Sequence, residues 1–501
     1  MLDQILLGAQ VVLQPSNLLF CFVGAILGTF VGVLPGLGPV GALSILIPAT
    51  FHMAPIQAII TLSAIYYGAM YGGSTTSILM NIPGEAASVI TCVDGYQMAR
   101  KGRAGPALGM CAFGSFIGGT IGICLLIVLA MPIIKIALKF GPPEYFSLMV
   151  VAIALLTLLS SQSTIKSLAM GAFGIFLSTI GLDLFIGVPR FTFKTYALMD
   201  GLGVAPVAMG LFGISEILIN IERGLDVNVY EAKIKGLLPT LQDWIDTKWA
   251  IIRGSFVGFF LGVLPGGGAI LASFVSYAME KRFSKHPELF GKGAIAGVAG
   301  PETANNAAAQ GNFVPLLTFG IPCNVIMAIL LAAFIIHGLT PGPLLLKDHP
   351  DIFWGLVMSM YLGNAMLLFL NLPLIGVWVR ILRIPYHFLF IFIILFCLVG
   401  AYSLNNDVSE ITIMIIFGFA GYLMKKFEYD PAVLVLAMVI GPLIEKAFRH
   451  SLIIYKKGFY IFFQRPISLG LLIIAILLLI YPIFWKGRKI PLAGVGSSEG
   501  V

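Results

Sequence analysis

Four consecutive hydroxyls, Ser74, Thr75, Thr76 and Ser77, stand inside an otherwise apolar run, and Asn81 follows them just before an Ile82-Pro83 step. A second polar run holds Glu302, Thr303, Asn305, Asn306, Gln310, Asn312 and Thr318, and it too ends on an Ile-Pro step, Ile321-Pro322. Hydroxyls and amides are neutral donors and acceptors. Placed beside the free N–H groups of a helix start, they suit a carboxylate. Unwound carbonyls and amide oxygens would suit Na⁺ instead. Glu302 and Glu85 are the acids closest to these steps, and an acid at membrane depth is a candidate for carrying a proton or a cation. Glu85 follows Pro83-Gly84 and reads slightly better as a residue at a wet helix end. Ser, Thr and Asn also serve as glue between packed membrane helices, so no single residue of the two runs decides the matter.

These residues must be positioned by broken helices. Pro35, Gly36 and Gly38 interrupt one apolar run, and Pro265, Gly266 and Gly267 interrupt another. Proline removes a backbone donor and clashes with the preceding turn, while glycine leaves the backbone free. Pro83 and Pro322 mark a second break in each case. Non-helical backbone at membrane depth survives only where protein or a water-filled cavity satisfies it. Tight turns between closely packed helices would meet that condition. So would half-helix tips at a binding site, and paired interruptions at matching positions are the best sequence pointer to one.

The breaks match because the chain repeats itself. GVLPGLG at 32–38 returns as GVLPGGG at 262–268, and Ile82-Pro83 returns as Ile321-Pro322. The stretch from Met131 resembles the stretch from Leu372. This divides the chain into a short interfacial segment at 1–16, a first membrane repeat at 17–223, a polar linker at 224–248 and a second membrane repeat at 249–450. A final transmembrane helix and tail occupy 451–501. Loop charge sets how the copies relate. The loop at 50–57 has no Lys or Arg, whereas its counterpart at 280–292 has Lys281, Arg282, Lys285 and Lys292. After the Ile-Pro steps the pattern flips: Arg100, Lys101 and Arg103 in the first copy, only Lys347 in the second. The positive-inside rule then places equivalent loops on opposite sides, giving an inverted repeat. Lys135 and Lys139 fit this scheme less well; the tail with Lys486, Arg488 and Lys489 falls inside. Glu216 and Glu445, at comparable places in the two copies, read as interface residues.

Composition sets the solvent. Hydrophobic residues are 58% of the 501 and charged residues 11%, against about 25% charged in soluble domains. Such a chain cannot cover a soluble surface, so the expected fold is all-α and polytopic, with about ten to twelve crossings. The net charge of +7 resides in short loops and does not form a nucleic-acid face. The six cysteines lack paired or metal spacing and read as small core residues. The N-terminus shows no basic n-region of a cleaved signal. There is no GxxxxGK[ST] loop, no HExxH and no paired catalytic constellation, so an enzyme is not expected. A passive channel lined by carbonyls is the alternative to a transporter.

The segments GVLPGLGPVGALSILIP, YGGSTTSILMNIPGEAASV, PETANNAAAQG and GIPCN resemble the large membrane subunit of tripartite tricarboxylate transporters, over nearly the whole chain. The resemblance implies the translocation subunit of a multi-pass bacterial inner-membrane system. Its partners would be a small membrane subunit and a periplasmic solute-binding protein that delivers citrate or a related carboxylate. It implies no cofactor and coupling to Na⁺ or H⁺. On this reading Ser74, Thr75, Thr76, Ser77, Asn81, Asn305, Asn306 and Thr318 line the site. Pro35, Gly36, Gly38, Pro83, Glu302, Pro265, Gly266, Gly267 and Pro322 shape the breaks or hold the coupling cation.

Overall fold

Proline and glycine decide where the helices stop. The structure, a computed structural model, describes residues 2–34, 38–159, 163–183, 185–223, 236–382, 386–456 and 458–484. The first half runs through α1 (Leu2–Val12), α2 (Pro15–Val33), α3 (Gly38–Leu46), α4 (Pro55–Met80), α5 (Val89–Arg100), α6 (Ala104–Ala137), α7 (Pro142–Leu159) and α8 (Thr164–Leu177). A two-residue hairpin, β1 (Gly181–Leu182) with β2 (Pro189–Arg190), follows. Then come α9 (Val204–Ala208), a π turn (Met209–Ile214) and α10 (Ser215–Arg223).

The second half follows. It contains α11 (Leu241–Val263), α12 (Gly268–Phe283), α13 (Ala296–Gly311), α14 (Phe313–Phe319), α15 (Val325–Ile336), α16 (Pro343–Asp348) and α17 (Pro350–Asn371). It continues with α18 (Ile375–Ile381), α19 (Tyr386–Asn405), α20 (Val408–Lys426) and α21 (Pro431–Tyr455). After it α22 (Ile461–Gln464) meets α23 (Pro466–Phe484) at a sharp bend. Polar caps start several of these helices where proline does not. Thr240 and Asp243 form a capping box on α11, and Asp407 accepts from the Ser409 N–H on α20. Each such cap satisfies a donor that the first helical turn leaves free.

Six described stretches are long and apolar enough to cross a membrane alone. With the bent pair at 458–480 they make up to seven, fewer than the ten to twelve crossings expected; shorter apolar helices such as Thr164–Leu177 and Val325–Ile336 do not reach that length among the described residues. The distribution of side chains is that of a protein dissolved in lipid. Ile391, Phe392, Leu395, Phe396 and Phe419 are exposed, while Asn305, Asn306, Glu302 and Thr76 are buried. In hydrocarbon, polar groups must be satisfied within the bundle.

Glycines let two helices per half pack at backbone contact. A Cβ on Gly24, Gly28 or Gly32 of α2 would lie 2.6, 2.4 or 2.3 Å from the carbonyl oxygens of Thr61, Ile65 and Ala69 on α4. A Cβ on Gly254, Gly258 or Gly262 of α11 would lie 2.7, 2.2 or 2.3 Å from those of Gly300, Ala304 and Ala308 on α13. Gly72 against Thr29 and Gly311 against Phe259 repeat the relation from the other side, at 2.3 and 2.4 Å. Residues of the α2–α11 pair are separated by 230 positions and those of the α4–α13 pair by 239, the offsets of the sequence motifs. Small residues at a spacing of four permit this approach. The halves then interlock: α13 packs on α6 of the first half and α4 on α17 of the second, while α21 packs on α8 and α20 on the π turn. The N-terminal α1 lies against α17.

Candidate functional site

Glu302 is completely buried in α13, a helix with a proline one residue earlier, Pro301. Its carboxylate accepts hydrogen bonds from three sides. Ser74 Oγ on α4 donates at 2.6 Å, Thr91 Oγ1 on α5 donates to the other oxygen, and Asn305 Nδ2 donates at 3.4 Å. Asn306 extends the cluster, with Nδ2 at 2.8 Å from Ser115 Oγ on α6 and 3.1 Å from the Glu302 carbonyl. Tyr71 on α4 donates to Asn364 Oδ1 on α17, whose Nδ2 reaches the Phe116 carbonyl and Thr120 on α6. Each of these two hydrogen-bonded sets ties a side chain of the first half to one of the second, Ser74 to Glu302 and Tyr71 to Asn364. No Lys, Arg or His forms an ion pair with Glu302 among the described residues.

Glu85 lies on a neighbouring level of the same core. Asn81 ends α4 in the left-handed region at φ 58°, Ile82-Pro83-Gly84 carries the chain across, and Glu85 caps the short turn into α5. Its Oε2 accepts from the Ala87 N–H at 2.7 Å, and Ser88 Oγ returns to its backbone. Ser77 of α4 donates to Ser88 at 2.9 Å. The wet helix end expected for Glu85 is corrected here. Its side chain is 5% exposed and its Oε1 is buried with no partner, because Gly73 and Gly84 let the break pack directly on α4 and α2.

Beside Ser74 lies a small cleft between α4, α6 and the α17–α18 junction, roomy enough for about one water molecule. Its polar lining is Tyr71, Ser74, Thr75, Ser115 and Asn371. Thr75 has no hydrogen-bond partner among the described residues, and Ser115 accepts from Asn306, which leaves its own hydrogen free. The cleft therefore offers neutral hydroxyl donors and no cationic side chain.

The residues expected from the sequence separate into groups. Ser74, Asn305 and Asn306 join Glu302, and Thr75 lines the cleft beside them. Thr76 donates to the Val33 carbonyl at the end of α2, and Ser77 joins Ser88. Asn81 is exposed at its cap. Thr318 returns its hydroxyl to the Val314 carbonyl at 2.6 Å, within its own helix. Of the break residues, Gly38 opens α3 at φ 57°, and Gly266 donates its N–H to the Cys323 carbonyl at 2.9 Å, so that the Pro265–Gly267 tip rests on the Pro322 break. Pro35 and Gly36 lie outside the described residues. Tyr71, Thr91, Ser115 and Asn364 were missed. Thr91 stands one turn beyond Ser88 and could have been found by extending the polar run through the break. Ser115 and Asn364 sit alone in long apolar runs and give no such signal. Among the described residues no cluster of three His, Cys, Asp or Glu side chains could hold a metal ion.

Charged groups gather at the helix ends. Lys101 donates to the Lys292 carbonyl, Arg103 pairs with Asp243 at 2.6 Å, and Asp94 accepts the N–H groups of Gly291, Gly293 and Ala294. The basic loops after α5 and α12 are thereby joined. The loops poor in such charge also meet, Thr50 with His337 at 3.3 Å. Glu216 pairs with Lys425, and Glu445 with Arg190 and Arg449. In the hairpin loop, the hydrogen bond from Arg449 holds the Asp183 carboxyl well below the usual carboxylate range, partly offset by burial.

Comparison with known proteins agrees with this architecture. Residues 18–436 match the family described as "Tripartite tricarboxylate transporter TctA family". The chain is 46% identical over 476 residues to a 52.8 kDa protein of Agrobacterium vitis named for the TAR-I ttuC' 3' region, covering 95% of each. It is 49% identical over 228 residues to a protein named for the TAR-II ttuC' 3' region of the same organism, covering 45% of this chain and 94% of that one. No solved structure matches.

Proposed function

The chain belongs to the tripartite tricarboxylate transporter TctA family, and from that premise we propose that it takes up citrate or a related di- or tricarboxylate, driven by a cation gradient. It is a multi-pass membrane protein and a transporter component; the finer reading concerns what it moves and how. The observation that carries the reading is the cleft, where hydroxyl donors from both α4 and α6 face a space with no Lys or Arg. Neutral donors hold a carboxylate without cancelling its charge. An anion brought there is neutralised most simply by a cation that travels with it.

The cleft accommodates about one water in this conformation, far less than a citrate. Binding therefore requires α4 and its neighbours to move, which alternating access supplies. The two halves act as an inverted pair in this reading. Its support is which loops touch: the Lys- and Arg-rich loops after α5 and α12 meet, and the loops at Thr50 and His337, poor in such charge, meet each other. The basic end faces the cytoplasm by the positive-inside rule, in a bacterial inner membrane. A small membrane subunit and a periplasmic solute-binding protein complete the system.

The experiment is uptake of labelled citrate into vesicles holding the chain and these two partners, with and without an imposed Na⁺ or pH gradient. Accumulation above the external concentration, lost when the gradient is collapsed, is the expected result. Flux that only follows the citrate gradient would make the protein a passive channel.

A further inference from the structure

Resting on the reading of the cleft as a carboxylate site, we propose that Ser74 is a protonation-gated donor: it can bind the substrate only when Glu302 carries a proton, so carboxylate and proton enter together. Ser74 occupies both places at once. It lines the cleft, and its Oγ lies 2.6 Å from Glu302 Oε2. A serine hydroxyl has one hydrogen to give and two lone pairs to receive with. An ionised carboxylate only accepts, so it commits that hydrogen. The other oxygen meanwhile takes the hydrogen of Thr91.

With a proton on Oε2 the bond reverses. The Glu302 O–H donates to a lone pair of Ser74 Oγ, and the serine hydrogen, whose other acceptor is the Met70 carbonyl at a long 3.5 Å, is released to turn into the cleft. Ser74, Thr75 and Ser115 then present three hydroxyl hydrogens to an incoming carboxylate. The proton stays on Glu302 throughout binding and leaves when the substrate does; no bond to the substrate is made or broken. Charge works in the same direction. An ionised Glu302 would stand one hydroxyl away from the substrate's own negative charge, in a region where such repulsion is poorly screened.

The titratable groups around Glu302 are thiols, a phenol and a second carboxyl. Tyr71 faces the region from α4, Cys92 from α5 and Cys111 from α6. Glu85 stands at the break before α5. On α12, Glu280 approaches Gly300 of α13 and is paired with Arg253 of α11 at 2.5 Å, and Asp94 is saturated by Tyr277 and three backbone N–H groups. Among the described residues none of these groups facing Glu302 is a cation.

The test is equilibrium binding of labelled citrate to the full chain in lipid nanodiscs between about pH 7.5 and 9, where the substrate's own titration is largely complete. A site that needs one proton loses about tenfold in affinity per pH unit above the titration of its carrier. Wild type is expected to show that slope. Glu302→Gln, whose amide donates to Ser74 as the protonated acid does, is expected to bind with the low-pH affinity at every pH. Ser74→Ala binds weakly throughout, and Ser74→Thr restores the slope. A slope retained in Glu302→Gln overturns the proposal, as does a flat wild-type profile or an affinity that follows Na⁺ and not pH. Infrared difference spectra taken without substrate provide a second reading. The band of a buried protonated carboxyl, lost on raising the pH, must lose a component in Glu302→Gln that it keeps in Glu85→Gln, the variant that removes the second buried carboxyl; a band unchanged in Glu302→Gln also overturns the proposal. Failure of wild type to bind citrate at any pH would instead sink the carboxylate site and this inference with it.

Discussion

The two Ile-Pro breaks share a backbone and differ in chemistry. In the first half Asn81 sits at φ 58°, Ile82-Pro83-Gly84 follows, and Glu85 caps the next turn at φ −143°. In the second, Gly320 sits at φ 72°, Ile321-Pro322-Cys323 follows, and Asn324 caps α15 at φ −152°, accepting from the Met327 N–H at 2.9 Å. A left-handed residue, a proline and a side-chain cap recur in the same order because each solves the same problem. The chain must leave one helix and start another without exposing unpaired backbone. The side chains are under no such obligation. The first break buries an acid where the second has a half-buried amide, and Glu302 of α13 stands where α4 has Ser63, 239 positions earlier. Both carboxyls without a cationic partner therefore lie where the matching position of the other half carries a neutral side chain, Asn324 or Ser63. The repeat supplies the frame, and its departures from symmetry supply the site.

If the frame is shared, breaking it should cost the same in either half, and this is the largest effect expected. Gly32→Val and Gly262→Val each drive a branched side chain against a carbonyl oxygen that a Cβ alone would meet at 2.3 Å. Overpacking a tight site costs roughly 1–3 kcal/mol, and here the obstacle is backbone, so both variants should yield little folded protein in size-exclusion profiles of detergent extracts. A folded Gly262→Val beside a lost Gly32→Val would show that the halves carry unequal loads.

A substitution at the caps sharpens the chemical half of the comparison. Glu85→Ala and Asn324→Ala each remove one helix cap, and each should lower thermal stability by about 1 kcal/mol. Asn324→Asp keeps the cap but adds a charge beside Tyr66 and Asn312, where no cation waits. It should cost about 3 kcal/mol, more than Glu85→Gln, which removes a charge and keeps an acceptor. Thermal unfolding of the four variants in nanodiscs ranks them. An Asn324→Asp protein as stable as wild type would mean that the second break tolerates an acid as the first does.

Much of this frame was legible in the sequence. The motif offsets located both pairs of breaks, and loop charge grouped the ends that the structure joins through Lys101 and Lys292 or Thr50 and His337. The site was legible only in part. Ser74, Asn305, Asn306 and Glu302 stood out because polar residues at membrane depth are few. That Ser74 and Glu302 touch across 228 positions depends on α4 crossing α13, and the helix packing behind that rests on glycines at 24, 28, 32 and 254, 258, 262, whose spacing of four is readable once sought. Glu85 was misjudged because burial after a Pro-Gly step depends on what packs over it, here Gly73 and Gly32. Ser115 and Asn364 come from helices remote in sequence, and no local pattern announces them.

The smallest effect concerns the left-handed caps themselves. Asn81 and Gly320 have nearly the same φ, and asparagine tolerates that region better than other residues with a side chain. By backbone preference alone the two should be exchangeable. Their surroundings differ. Asn81 is exposed, so Asn81→Gly should change stability by no more than about 0.5 kcal/mol, the strain relieved offsetting the entropy lost. A Cβ on Gly320 would lie 2.5 Å from the Pro341 carbonyl oxygen, a backbone atom that cannot turn aside. Gly320→Asn should therefore cost about 2 kcal/mol despite its acceptable φ, seen as a lower unfolding temperature. Equal, small effects at both positions would mean that the segment at 339–342 yields, and that the second break is held as loosely as the first.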